Sequence, residues 1–310
     1  MITILTGERG GLEKINELAP NIWVNVIDPS ADEVTRLQQD LGVPYDFLTS
    51  ALDIDERART DREGDVRLIV LRVPYFMEQT TDIPYLTVPL GIIITADLFV
   101  TICKVENEVI QDFITGQVAG WSTAKRNRFL LQILLKTATK YLRYLRKIDR
   151  KVDELEDKLQ LSMRNKELLE LLKYQKSLVY FTTALKSNEL MMERLQKSQL
   201  FEMHPDDKDL LEDVLTENQQ AIEMVGISND ILSQMMDAFA SIISNNLNVV
   251  MKFLTSVTII LMLPTLIASL YGMNVGLPLQ NSPYAFLLTL LVSFVLSLLV
   301  VLVFLKKDWF

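Results

Sequence analysis

The feature that most constrains this chain is a run of 53 residues, 253–305, without a single Asp, Glu, Lys, Arg or His. Charged residues make up 23% of the whole sequence, so this run is not an ordinary soluble surface. It contains two apolar segments of 18 and 22 residues, 253–270 and 284–305. An α-helix rises about 1.5 Å per residue, so about 20 residues cross a hydrocarbon core of about 30 Å. The sequence therefore predicts two transmembrane helices joined by a loop at 271–283.

The positive charges near these segments predict their orientation. Lys252, Lys306 and Lys307 flank the two spans on one side, whereas the loop has no Lys or Arg. The positive-inside rule then places both termini in the cytoplasm. The first residues lack a basic segment followed by an apolar run, so no cleaved secretory signal is expected. We predict a multi-pass protein of the cell (inner or plasma) membrane.

The part of the chain before the spans is acidic. Residues from 250 onward carry three lysines and one aspartate, a net charge of +2. Because the net charge of the whole chain is −9, the preceding part must carry −11. A body with this charge argues against nucleic-acid binding and favours attraction of cations. The chain has one histidine, His204, and no phosphate-binding G-x-x-x-x-G-K-[ST] pattern. Catalysis by a Ser-His-Asp triad or a P-loop is therefore not expected, and we predict no enzyme and no organic cofactor.

Residues 1–120 have the pattern of an α/β domain. Ser30 is the expected N-cap of a helix that ends at Gly42, and residues 43–52 predict a second helix. Short runs rich in Val, Ile, Tyr and Thr with turn residues at their boundaries predict strands. These runs are 1–5, 22–27, 66–76, 85–95 and 98–105. We expect a mixed or antiparallel sheet in this cytoplasmic domain.

Residues 121–247 predict a helical cytoplasmic region. From Ser122 to about Leu200 the sequence is rich in Leu, Lys and Glu, and Pro205 marks the start of a further, long helix. In that helix two sets of mostly apolar residues recur seven apart, which indicates lengthwise packing in an intramolecular bundle or between subunits. The sets are Leu211, Asn218, Val225, Leu232, Phe239 and Asn246, and Leu215, Ile222, Asn229, Met236, Ile243 and Val250. No Pro or Gly separates Asn229 from Phe253, so the helix is predicted to continue into the membrane.

The first span, taken as 248–270, carries a polar stripe. Its members recur at alternating spacings of three and four: Asn248, Met251, Thr255, Thr258, Met262, Thr265 and Ser269. Such a stripe suits a water-filled pore or hydrogen bonding between helices, and both explanations remain open. The second span, 284–305, is apolar on all sides with three scattered hydroxyls, which predicts an outer, lipid-facing helix. Because two helices cannot enclose a pore, a pore requires several copies of the chain.

The loop begins where the stripe ends, with Tyr271, Gly272, Met273 and Asn274. Gly272 permits a backbone bend that a Cβ would hinder. Asn274 supplies an uncharged amide oxygen. Mg²⁺ loses its water reluctantly, so a ring of neutral oxygens could hydrogen-bond to its hydration shell. The alternative is an interfacial turn anchored by Tyr271.

The Tyr-Gly-Met-Asn sequence after a first C-terminal span, followed by a second span and a basic tail at 306–310, resembles the CorA family of magnesium transport proteins. The resemblance covers the whole chain. It implies a cytoplasmic α/β domain, a helical region, a long pore-forming stalk helix, two transmembrane helices, and a homopentamer whose first spans line a pore. It implies a selectivity entrance at residues 272–274 on the outer side. It also implies a conduit with Met251 and Leu254 as a hydrophobic constriction, lined by Asn248, Met251, Leu254, Met262 and Thr265.

Two departures from the family pattern affect the implied regulatory Mg²⁺ site and the attraction of cations to the loop. The resemblance implies a regulatory Mg²⁺ site of carboxylates between neighbouring cytoplasmic domains, in which Asp213 matches one partner. The positions expected to be acidic opposite it fall on Thr49 and Ser50, and Asp213 is alternatively an ordinary solvated helix residue. Nearby candidates for the missing partner are Asp46, Asp53 and Asp55. The loop after Asn274 also lacks the carboxylate that family members often carry.

The resulting prediction is a passive channel, driven by the membrane potential, that favours Mg²⁺ uptake through a homo-oligomeric pore. Mg²⁺ is expected as the transported ion and as a possible regulatory ion. One alternative is a CorA-like transporter of another divalent cation, Co²⁺, Ni²⁺ or Zn²⁺. A second alternative is a membrane-tethered regulatory or scaffold protein in which the two spans serve only as an anchor.

Overall fold

The computed structural model describes residues 1–8, 11–15, 17, 19–77, 83–162, 165–197, 205–279, 282–307 and 309. Within these ranges the chain forms two compact units, Met1–Gln234 and Met235–Phe310. The strands are β1 Ile2–Glu8, β2 Gly11–Ile15, β3 Ile22–Ile27, β4 Arg59–Glu63, β5 Val66–Phe76, β6 Tyr85–Ile94 and β7 Leu98–Cys103. The helices are α1 Ala31–Leu41, α2 Tyr45–Ser50, α3 Glu108–Ile114, α4 Arg126–Ser162, α5 Asn165–Lys197, α6 Pro205–Tyr271 and α7 Ala285–Lys306. The predicted fold class is confirmed.

The seven strands form one mixed sheet in the order β2-β1-β3-β7-β6-β5-β4. The pairing of β3 with β7 is parallel, and the other neighbouring strands are antiparallel. The sequence analysis missed β2, β4 and the short helix α3. Strand β4 has the sequence Arg-Thr-Asp-Arg-Glu and lies at the edge of the sheet, where charged side chains discourage pairing with another chain. Such a strand has no apolar alternation by which it could be predicted.

The core strands are buried on both faces, which explains their long apolar runs. Along β5, Leu68 and Val70 belong to the cluster that contains α1 and α2, whereas Ile69 and Leu71 belong to the cluster on the opposite face. The second cluster also takes in side chains of α3, α4, α5 and the first turns of α6. Sheet and helices therefore share a core within Met1–Gln234, and the division predicted after residue 120 stays a prediction.

Gly91 of β6 provides a test of this packing. A Cβ at this position would lie 2.7 Å from Ala51 Cβ and 2.8 Å from Ile102 Cγ2. We expect Gly91→Ala to lower the free energy of unfolding by about 1–3 kcal/mol because the core must shift to accept it. Gly226 lies in α6 with nothing within 4 Å of the corresponding Cβ, so Gly226→Ala should instead stabilise by up to about 1 kcal/mol. Thermal melting of the two variants would contradict this if both moved in the same direction.

Helix α6 contains 67 residues and runs without interruption from the first unit into the second, as the absence of Pro and Gly after Asn229 predicts. In the first unit its buried face follows spacings of three and four. That face is Leu211, Val214, Asn218, Ala221, Val225, Ser228 and Leu232. The predicted set that starts at Leu211 is therefore buried up to Leu232, and its next member, Phe239 in the second unit, is buried as well. The set that starts at Leu215 is only half-buried at Leu215, Ile222 and Asn229, because the second buried row lies one residue earlier.

Two hydrogen bonds connect this face to the neighbouring helices. Ser228 Oγ donates to Asp149 of α4 at 2.7 Å, and Gln175 of α5 donates to Ser233 at 3.3 Å. The first part of the seam thus packs within the chain. Farther along α6 the apolar side chains of Ile243, Leu247 and Val250 are exposed in the single chain.

The part of α6 in the second unit and α7 are both long and apolar enough to cross a membrane. The prediction that the hydroxyls of α7 are scattered is wrong. Thr289, Ser293 and Ser297 recur every four residues and are all half-buried on one face of the helix. Ser297 Oγ lies 3.4 Å from the carbonyl oxygen of Ile260, to which it donates, so this face packs against α6. A row of small side chains allows such close contact between membrane helices.

Candidate ion pathway

The predicted pathway residues lie on α6 and are exposed in the single chain. They are Asn248, Met251, Leu254, Thr255, Thr258, Met262, Thr265 and Ser269. The buried and half-buried positions that face α7, such as Ser256, Ile260 and Ile267, lie about 150° around the helix from the centre of this stripe. Helix α7 therefore leaves the stripe uncovered. Leucines such as Leu261 are exposed as well, so the role of the stripe in lining a pore stays a prediction.

Two of the four hydroxyls of the stripe donate to carbonyls of their own helix. Thr258 Oγ1 donates to the Leu254 carbonyl at 2.8 Å, and Thr265 Oγ1 donates to the Leu261 carbonyl at 3.0 Å. Each hydroxyl thereby keeps oxygen lone pairs that can accept hydrogen bonds from water. Such oxygens suit a hydrated cation, because its water molecules present protons outward. Ser256, the hydroxyl that lies off the stripe, is fully buried instead.

The turn after the stripe explains why residue 272 is glycine. The Gly272 N–H donates to the Ala268 carbonyl at 2.9 Å and so completes the last turn of α6. Its φ is not in the left-handed region, but a Cβ would lie 3.3 Å from the Ala268 oxygen. The glycine is therefore favoured by a tight backbone contact rather than by a left-handed bend. Met273 and Asn274 follow directly and are exposed.

Tyr271 connects the two ends of the described part of the loop. Its hydroxyl lies 3.4 Å from the Pro278 carbonyl oxygen, to which it donates, and its side chain is 41% exposed. This contact closes a ring of backbone around residues 272–274. Tyr271 thus supports the turn from the side, and the predicted selectivity role of the turn stays a prediction. Residues 280, 281, 308 and 310 of the predicted loop and tail lie outside the described residues.

At the positions of the implied regulatory site the structure places hydroxyls and a guanidinium. Thr49 and Ser50 each donate to a backbone carbonyl of α2, and Ser50 Oγ also accepts from Nη2 of Arg59 at 3.1 Å. Asp213 is exposed on α6, and its regulatory role stays a prediction.

Groups of three or more His, Cys, Asp or Glu side chains that could hold a metal ion are absent from the part of the single chain that the structure describes. His204 and Leu200 lie in the stretch 198–204, outside the described residues. The charged groups that surround Ser50 also include Glu56 and Asp61, both of which pair with Arg59. The single guanidinium of Arg59 is therefore shared by two carboxylates, which leaves these three groups with one net negative charge.

A continuation of the stripe towards the N-terminus of α6 was not predicted from the sequence. Glu223, Asp230 and Asp237 recur every seven residues along α6, and all three side chains are exposed. At about 100° per residue they fall on the same side of the helix as Asn248. The alternating spacing, continued backward from Asn248, would have found them. Asp237 lies in the same unit as Asn248 and places a carboxylate on the face of the predicted pathway.

Known proteins share the architecture of this chain. Residues 19–307 match the family described as CorA-like Mg²⁺ transporter protein. The chain is 31% identical over 327 aligned positions to the cobalt/magnesium transport protein CorA of Methanocaldococcus jannaschii, with 100% of each covered. It is 26% identical to the protein of the same description from Thermotoga maritima, with 93% of this chain and 83% of that one covered. The complete structure of the CorA magnesium transporter from M. jannaschii superposes with a TM-score of 0.86 at 28% identity, over 100% of this chain and 99% of that chain.

Proposed function

Because this chain belongs to the family of CorA-like Mg²⁺ transporter proteins, we propose that it admits Mg²⁺ passively into the cytoplasm through a homo-oligomeric pore. Family membership makes it a transporter of magnesium or a related divalent cation. The observation that carries the finer proposal is the polar stripe of α6, which α7 leaves uncovered and which ends at Gly272, Met273 and Asn274. The resemblance of these three residues to the CorA family implies that they form the outer entrance of the pore.

The proposed assembly is a homopentamer with α6 inside and α7 outside. The stripe and the α7 contact lie on opposite sides of α6, as this arrangement requires. Apolar residues of α6 around the start of the span, such as Leu247 at 61% exposure and Val250 at 60%, gain a partner when copies of α6 pack together. The half-buried hydroxyl face of α7 is already occupied by α6, which leaves its other sides for lipid.

The proposed pathway has three sections. At the outer end, the carbonyl and amide oxygens of residues 272–274 hydrogen-bond to the water shell of the ion. Met251 and Leu254, both more than half exposed, form a hydrophobic constriction near the cytoplasmic end of the span. Beyond it, Asp237 offers negative charge to an ion that leaves the span.

The membrane potential is a sufficient driving force for this transport. Each charge that crosses 100 mV contributes about 2.3 kcal/mol, so a divalent cation gains about 4.6 kcal/mol. The proposed orientation places Lys252, Lys306 and Lys307 on the cytoplasmic side, so both termini are cytoplasmic. The acidic body then lies on the side to which the ion is drawn.

The experiment that tests this function measures ion influx into liposomes that contain the protein and a Mg²⁺-sensitive dye. We expect Mg²⁺ influx without ATP, and a rate that rises when a potassium diffusion potential makes the interior negative. Co²⁺, Ni²⁺ and Zn²⁺ serve as competitors. Entry of one of these ions without Mg²⁺ would change the substrate and keep the architecture. No influx of any ion would favour the membrane-tether alternative.

A further inference from the structure

Pro264 interrupts the hydrogen bonding of α6 in the middle of the membrane. Proline has no N–H, so the carbonyl of Ile260, four residues earlier, loses the donor that an ordinary helix would give it. The proline ring also crowds that same carbonyl and tilts it away from the helix axis. In a hydrocarbon environment an unpaired carbonyl is costly, so another group must satisfy it.

Ser297 of α7 supplies this group. Its Oγ lies 3.4 Å from the Ile260 carbonyl oxygen and donates to it. The two other hydroxyls on the same face of α7 behave differently. Thr289 and Ser293 donate to carbonyls of their own helix, at 3.1 Å to Ala285 and at 2.8 Å to Thr289. Among these three hydroxyls, Ser297 is the one that crosses to α6.

We propose that Ser297 is a positioning residue for the ion pathway, because its hydroxyl replaces the N–H that Pro264 lacks and so fixes the bend and register of the last turns of α6. Those turns carry Thr265 and Ser269 and end at Gly272, so their placement sets the geometry of the outer entrance. The proposal rests on the proposed function of this entrance. It assigns α7 a second task besides facing lipid: a movement of α7 is passed through Ser297 to the turns that carry the entrance.

The test is a double-substitution cycle between the two helices in the full-length protein in liposomes. Ser297→Ala should reduce Mg²⁺ influx by about threefold, the effect of an average hydrogen bond between membrane helices. Ser297→Thr keeps a hydroxyl and should retain most of the influx. Ser293→Ala is the matched control, because it removes a hydroxyl from the same face without leaving the Ile260 carbonyl unpaired. It should change influx less than Ser297→Ala.

Pro264→Ala closes the cycle, since it restores the missing N–H. In the Pro264→Ala background, adding Ser297→Ala should no longer change influx. The proposal would be overturned if Ser297→Ala reduced Mg²⁺ influx equally with and without Pro264→Ala. It would also be overturned if Ser297→Ala and Ser293→Ala reduced influx equally.

The midpoint of thermal unfolding in detergent separates the hydrogen bond from its consequence for transport. It is measured on the unsubstituted protein, Ser297→Ala, Pro264→Ala and the double variant. A Ser297→Ala effect on this midpoint that disappears with Pro264→Ala supports the bond, and its persistence would refute the bond. If Pro264→Ala abolishes the effect of Ser297→Ala on the midpoint but not its effect on influx, the positioning role would be overturned. If the unsubstituted protein carries no ion, the proposed function fails, while the midpoints still report whether Ser297 replaces the missing N–H.

Discussion

Replacing Asn274 by alanine is expected to reduce Mg²⁺ influx by about 100-fold. Asn274 is exposed directly after the last turn of α6, and its amide oxygen is an uncharged side-chain acceptor in the turn. A hydrogen bond to a charged partner contributes about 1.5–3 kcal/mol, and 2.7 kcal/mol corresponds to about 100-fold. Because every subunit of the proposed ring loses its amide at once, we expect the upper part of this range. The measurement is the initial rate of influx into dye-loaded liposomes at a fixed potential.

The control for this prediction is Val275→Ala. Val275 is the next residue, is 52% exposed and offers no side-chain oxygen, so its truncation should leave the influx rate close to that of the unsubstituted protein. Asn274→Gln keeps the amide but moves it outward and should give an intermediate rate. Unchanged influx in Asn274→Ala would rule out the proposed selectivity entrance, whatever ion the protein carries.

The parts of the fold that sequence could predict are those in which a single physical requirement acts over many residues. Lipid excludes charge, so both membrane helices are visible as a charge-free run. Burial on both faces gives long apolar strands, so β5, β6 and β7 are predictable. Strand β4 is not, because the edge of a sheet favours charge over apolar alternation. Short helix α3 has only seven residues and too little periodicity to be recognised.

The seam of α6 shows a finer limit. Val214 and Leu215 are both apolar neighbours, as are Ala221 and Ile222, and the sequence analysis chose the larger member of each pair. The structure buries the smaller member. Which of two adjacent apolar residues faces the neighbouring helices depends on how the helices pack against each other and not on hydrophobicity alone.

The candidate site was predictable to a different extent. The stripe and the turn after it depend on local spacing, so their positions on α6 and their exposure could be expected from sequence. The contact between Ser297 and Ile260 could not, because it depends on which turns of two separate helices lie side by side. The replacement of acidic residues by Thr49 and Ser50 was visible in the sequence, but the guanidinium of Arg59 at this place was not.

Replacing Lys140 by methionine is expected to destabilise the first unit by about 1.5–3 kcal/mol, the usual contribution of a hydrogen bond to a charged group, because Asp112 keeps Lys136 as a partner. The Lys140 side chain is only 2% exposed, and its Nζ lies 2.8 Å from Glu108 and 3.0 Å from Asp112. These bonds hold α3 against α4. Lys136 also lies 3.0 Å from Asp112 but is 26% exposed, so Lys136→Met is the matched control and should cost less. Thermal unfolding of the full-length protein in detergent at pH 7 measures both.

The pH dependence of this cost identifies its cause. Burial alone would raise the pKa of the Asp112 carboxyl, but hydrogen bonds from Lys136 and Lys140 outweigh burial and lower that pKa. A carboxyl with a lowered pKa stabilises the fold above its unfolded pKa of about 3.9, and this contribution is lost as the pH falls through the folded value. The difference between Lys140→Met and the unsubstituted protein should therefore shrink below about pH 4. A difference that stayed constant down to pH 3 would assign the cost to lost packing of the lysine stem rather than to weaker pairing of the Asp112 carboxylate.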